Sequence, residues 1–185
     1  MLTPVQKQFL ITAAAAAIAS EGISGCPAEL TLAQAILESG WGAKAPQFNC
    51  FGTKYFVGAF GRQLLDTHEW FTPEQAAEFL AGDPAHTATV IGPVNAEGKF
   101  PYKCRDWFAT FASLAEAFAD HGYRIVKAAP YAAAWAQYQQ DKDLQEFIRG
   151  VAKHYATSPT YAADIFRILA MPEVDAAITT ARQGI

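Results

Sequence analysis

Apolar positions recur at helical spacing along most of the chain, and polar punctuation marks where each run starts and stops. Thr3-Pro4-Val5-Gln6 reads as a capping box with proline at the first helical position, so a helix is expected over 4–21, closed by Gly22. Thr31, with Gln34 three residues on, predicts the cap of a second helix that Gly40 ends. Thr72-Pro73-Glu74-Gln75 repeats the start signal for a short helix ending at Gly82. Ser113 and Glu116 open another that runs to about Val126, and residues 131–139 keep the helical pattern. Asp143 and Glu146 start a helix reaching about His154; Ser158-Pro159 starts one that ends before Pro172, and a short last helix follows Pro172.

The middle of the chain breaks this period. Residues 51–71, "FGTKYFVGAFGRQLLDTHEWF", are rich in Gly, Thr and aromatics, and residues 87–104 hold two extended runs separated by Gly, Pro and Asn. The expected fold class is therefore α+β and mostly α. A helical lobe carries a small β-hairpin wing inserted at about 52–104, all within one domain over 1–185. The helix at 73–81 reads as an insertion in that wing.

Composition narrows the function classes. With 51% hydrophobic and 17% charged residues the chain is not of the disordered type. A net charge of −4 and no run of Lys or Arg argue against nucleic-acid binding, which rests on neutralising phosphates. No stretch is long and apolar enough to insert in a membrane. Lys7 followed by "FLITAAAAAIAS" resembles the core of a secretory signal, but the capping box ahead of it favours a first helix, and no signal peptide is expected. Cys26, Cys50 and Cys104 are odd in number and irregular in spacing; one disulfide could form, and free buried thiols are the expectation. His68, His86, His121 and His154 share no metal-ligand spacing and there is no phosphate-binding loop; no metal or organic cofactor is expected, as none is needed for acid catalysis by a carboxyl group.

One acid stands out. In "AILESGWG", residues 35–42, Glu38 sits where an apolar helix runs into Ser39-Gly40-Trp41-Gly42. The negative end of the helix dipole disfavours an ionised carboxylate there by about 0.3–1 kcal/mol. Packing against Trp41 would add a desolvation penalty in the same direction. Both effects favour a carboxyl that keeps its proton near neutral pH, which is what a general acid needs.

"TLAQAILESGWG" followed by "NCFGTKY" resembles glycoside hydrolase family 73, the bacterial and phage peptidoglycan N-acetylglucosaminidases, which include autolysins and some endolysins. "KHYATSPTYAADIFRIL" is similar to a later family segment, with Ser158 where an Asp is usual, and "FPYKCRDWFATFASLAEAFADH" matches more loosely. The resemblance implies a lysozyme-like fold and a hydrolase cutting the β-1,4 bond between N-acetylglucosamine and N-acetylmuramic acid. It implies Glu38 as general acid, a second carboxylate in the wing with Glu69 favoured over Asp66 and Glu97, and Tyr155 as an active-site tyrosine. Trp41, Asn49, Phe51, Lys54 and Trp70 are its substrate-binding candidates, with Phe51 also anchoring the turn into the wing; Tyr161 reads as core. The implied partner is the peptidoglycan glycan strand, met by a monomer, with export through phage lysis or a dedicated secretion system. Rival readings are an N-acetylmuramidase or lytic transglycosylase, or a wall-binding or scaffold module that does not turn over.

Overall fold

The computed structural model describes residues 1–156 and 158–184. Thr157, which belongs to the segment that carries the later resemblance, lies outside them. The described residues form a mostly helical α+β fold with one small three-stranded antiparallel sheet. The chain divides into a helical unit, residues 1–52 and 111–185, and a β unit, Thr53–Thr110. The inserted segment thus runs six residues further than the expected end at 104, because the last strand stays extended through Thr110.

The helical unit opens with α1 (Pro4–Ser24), whose capping box forms as expected from Thr3 and Gln6. The helix continues past Gly22, and Gly25, in the left-handed region at φ 79°, takes the cap instead. Next comes α2 (Ala28–Ser39), with Gly40 closing it in the left-handed region. Its start corrects the expectation at Thr31. Pro27 precedes the helix, Thr31 lies inside it, and the Thr31 hydroxyl donates back to the Ala28 carbonyl at 3.2 Å. The motif Thr-x-x-Gln resembles a cap, but both side chains are buried and used elsewhere.

After the β unit come α4 (Leu114–Lys127), α5 (Ala132–Asp141), α6 (Leu144–Tyr155), α7 (Tyr161–Leu169) and α8 (Pro172–Arg182). Ser113 caps α4, and Asp143 caps α6 by accepting from the Gln145 and Glu146 amides. Ser158 does not cap α7: the helix starts three residues later, and the Ser158 hydroxyl is spent on Thr160. α1 packs on α2, α4 and α8 around Leu10, Leu32, Ile36, Phe118 and Val174. A second cluster gathers Leu30, Ile125, Phe147, Ile148, Val151 and Ile165, from α2, α4, α6 and α7. Glu38 and its neighbours are carried by α2, α4, α6 and α7.

The β unit holds β1 (Gly61–Phe71), α3 (Pro73–Gly82), β2 (Thr87–Val90) and β3 (Phe100–Thr110), with sheet order β1-β3-β2. Thr72 and Gln75 form the expected capping box on α3. Because side chains alternate along a strand, directly opposed residues share a face: Glu69 with Tyr102, Leu65 with Asp106 and Thr67 with Cys104 on one, Asp66 with Arg105 and Trp70 with Pro101 on the other. The first face packs Phe71, Tyr102 and Cys104 against Ala76 and Phe79. All three cysteines are free and buried. Burial pushes all three thiols up, Cys50 to about 12, so they act as small apolar packing groups.

Candidate active site

Glu38 is the penultimate residue of α2. The turn that follows is tied down by Ser39, whose buried hydroxyl donates to the Ala35 carbonyl at 2.5 Å and accepts from the Gly42 amide at 2.8 Å. Gly40, Trp41 and Gly42 all lie at positive φ, and for Trp41 at 61° this is a strained conformation costing about 1 kcal/mol. Gly42 has no substitute there, since a Cβ would lie 2.3 Å from the Phe9 ring. Trp41 packs onto the first core cluster, where it anchors the strained turn.

The Glu38 side chain reaches solvent, as a group that hands a proton to an external molecule must. The protein around it still raises its carboxyl above the ordinary range, chiefly by burial, with a hydrogen bond from Tyr161 pulling the other way. That bond runs from the Tyr161 hydroxyl to Glu38 Oε1 at 2.9 Å. Tyr161 is thus buried in the core, as its sequence context suggested, and also holds the acid. Tyr155 stacks on Tyr161 with ring centroids 5.3 Å apart. Burial pushes both phenols up, so each stays neutral and able to donate.

Behind Tyr161 the contacts continue inward. Gln34 Nε2 donates to the Tyr161 oxygen at 3.3 Å, and His121 Nε2 lies 2.9 Å from Gln34 Oε1. Phe51 stacks flat on His121 at 3.8 Å between centroids and meets Phe118 edge-on at 5.1 Å. Asn49 is buried beside it in the chain.

In the β unit, Lys54 Nζ sits 2.7 Å from both Glu69 Oε1 and Asp106 Oδ2, over the Phe108 ring. Thr67 also donates to Glu69 Oε1, at 3.4 Å. The rival acids are placed differently: Asp66, on the opposite face, pairs with Lys103 and Arg105, and Glu97 pairs with Lys99 in a turn. Trp70 is 52% exposed on the face opposite Glu69.

The sequence pattern of the glucosaminidase family, described as mannosyl-glycoprotein endo-beta-N-acetylglucosaminidase, matches residues 14–172. The chain belongs to that family, glycoside hydrolase family 73. It is 29% identical over 154 residues to an autolysin of Enterococcus faecalis; the match covers 77% of the chain but only 17% of that autolysin. The fold is shared with the catalytic domain of the autolysin Auto from Listeria monocytogenes, at TM-score 0.63 and 19% identity, covering 98% of this chain and 89% of that one. It is shared too with a peptidoglycan hydrolase from Sphingomonas sp. A1, at TM-score 0.60 and 19% identity, with 95% and 94% covered.

Within this glucosaminidase, four polar residues around the two acids escaped the sequence reading: Gln34, Ser39, Asp106 and His121. Gln34 and Ser39 lie within the recognisable motif, and their type at buried helix positions was the available signal. His121 and Asp106 carried none, for they meet their partners across 87 and 52 residues of chain.

Proposed function

We propose that this glucosaminidase hydrolyses peptidoglycan at the β-1,4 bond between N-acetylglucosamine and N-acetylmuramic acid, with Glu38 as the general acid. The observation that carries the reading is the state of Glu38: solvent-reachable, raised above the ordinary carboxyl range by burial, and held by one oxygen. Family membership and the names of the autolysins and the peptidoglycan hydrolase among its relatives support the polymer.

In the reaction, Glu38 gives its proton to the bridging oxygen as the bond to the N-acetylglucosamine anomeric carbon breaks. The muramic acid side leaves as an alcohol, and positive charge builds at the anomeric carbon. Water supplies the new oxygen, and its proton returns to a carboxylate. Glu69 is the proposed second carboxylate, since it is partly buried in a cluster with Lys54, Thr67 and Asp106, whereas Asp66 and Glu97 stand in more exposed ion pairs. Tyr155 is the proposed partner of the sugar's acetamido group or of the developing charge. Trp41, Asn49, Phe51, Lys54 and Trp70 stand as proposed groups for substrate positioning; for Trp41, Phe51 and Lys54 the intramolecular packing and pairing described above make this an indirect role.

The test is a cell-wall zymogram with mass spectrometry of the released fragments. Glu38→Gln is expected to lose at least about 100-fold in rate, as acid catalysis is removed, with its melting temperature kept. Wild-type digests are expected to end in reducing N-acetylglucosamine. Anhydro-muramyl ends would move the assignment to a lytic transglycosylase, reducing N-acetylmuramic acid to a muramidase, and a wild type no faster than Glu38→Gln to a binding module.

A further inference from the structure

The chain of contacts behind Glu38 has one direction. The Gln34 carbonyl oxygen can only accept, so His121 Nε2, 2.9 Å away, carries the imidazole hydrogen. That bond fixes the amide, whose Nε2 can only donate and faces the Tyr161 oxygen at 3.3 Å. The tyrosine therefore accepts from Gln34 and turns its own hydrogen to Glu38 Oε1 at 2.9 Å. Turning the amide over would require His121 to carry its hydrogen on Nδ1 and accept from the Gln34 NH2 at Nε2, and would draw the Tyr161 hydrogen towards the Gln34 carbonyl, away from Glu38. Gln34 and His121 are buried, and the His121 ring is held flat by Phe51 and edge-on by Tyr155 at 5.8 Å. Burial pushes the imidazole down to about 3, so it stays neutral. Buried amides and imidazoles are costly without partners, and here each partner completes the next.

We infer that His121 and Gln34 are positioning residues that set the polarity of the Tyr161 hydroxyl, keeping its hydrogen on Glu38 Oε1 and leaving Oε2 to carry the proton given to substrate. This rests on Glu38 being the general acid. Among the described residues of the helical unit, the titratable groups facing Glu38 are Tyr155 on α6 and Tyr161 on α7, both neutral across the working range. A relay of this polarity stabilises the Glu38 carboxylate, so breaking it raises the Glu38 titration and moves the alkaline limb of kcat/KM to higher pH.

The experiment combines a 13C-carboxyl titration of Glu38, a 15N-imidazole spectrum of His121 and pH–rate profiles. In the wild type the His121 spectrum is expected to show the hydrogen on Nε2; the Nδ1 form would overturn the proposal without any variant. His121→Phe keeps the ring stack, loses the donor, and is expected to raise the Glu38 titration by about half a pH unit. His121→Gln restores a donor and should recover most of that shift. In a Tyr161→Phe background, where the messenger hydroxyl is gone, His121→Phe should add nothing. A His121→Phe titration that overlays the wild type, or one that shifts equally without the Tyr161 hydroxyl, sinks the relay. Should His121→Phe fail to fold, Gln34→Leu carries the same expectation. The spectra need no turnover. An active Glu38→Gln would therefore refute the general-acid assignment while leaving the relay's titration readable.

Discussion

Glu38 differs from an ordinary helix-end glutamate in what is denied to it. The dipole of α2 and the surrounding protein mass both disfavour its charge, and one hydroxyl offsets part of that cost. The residue that fixes where the carboxyl stands is Gly42, four positions on. Gly42→Ala would strain a backbone at φ 80° and drive a methyl into the Phe9 ring. We expect a stability loss of about 2–4 kcal/mol, read as a lower midpoint in urea, together with reduced turnover because the end of α2 shifts. Ser39 belongs with it: a buried serine in a helix's last turn often bends the helix, and here its hydroxyl pins the strained turn.

At the scale of elements, the sheet is organised around a cation. Lys54 lies outside the strands, yet an isolated bridge to Phe108 brings it beside β3, and its ammonium joins Glu69 of β1 to Asp106 of β3. His86, just before β2, adds a contact to Asp106 at 3.2 Å and stacks on Phe79 of α3. Lys54→Met leaves two carboxylates facing each other without their shared counter-charge. Hydrogen exchange should quicken in β1 and β3, corresponding to about 1–2 kcal/mol of local stability, while the amides of α2 and α6 keep their protection. Local signals made several elements legible in advance. The caps at Thr3, Thr72, Ser113 and Asp143 all form, because each depends on residues within one turn. Thr31 failed as a cap because the same Thr-x-x-Gln pattern also suits a buried helix interior, where Thr31 bonds back to Ala28 and Gln34 reaches Tyr161 from 127 residues away. The Glu38 motif could be read from eight consecutive residues. Its support could not, because Tyr161 and His121 approach only once α7 and α4 have packed.

For the molecule as a whole, the buried imidazole sets the acid side of stability. His121 stays neutral down to about 3 in the folded chain, whereas an unfolded histidine takes up a proton near 6.5. Between those values the unfolded state binds more protons, so stability falls as pH drops through that window and levels off below it. Urea midpoints measured from pH 7 to pH 4 should decline, and His121→Gln should flatten the part of the decline that this residue causes. Glu38 acts in the opposite sense: its raised carboxyl favours the fold most at pH below the ordinary glutamate value, and that contribution is lost as pH rises through its folded value.

The division of the helical unit into residues 1–52 and 111–185 also bears on how the protein is made. As the chain leaves the ribosome, α1 and α2 emerge long before α4, α7 and α8, which they will pack against. The strands between them pair with one another and pack on α3, all within one continuous stretch of chain. Until α4 has been synthesised, α1 has only α2 to pack against, and until α7 follows, the Glu38 carboxyl lacks the Tyr161 hydroxyl that holds it. The nascent protein is thus expected to be harmless to its substrate, and most in need of chaperones, for the whole time before translation reaches α7.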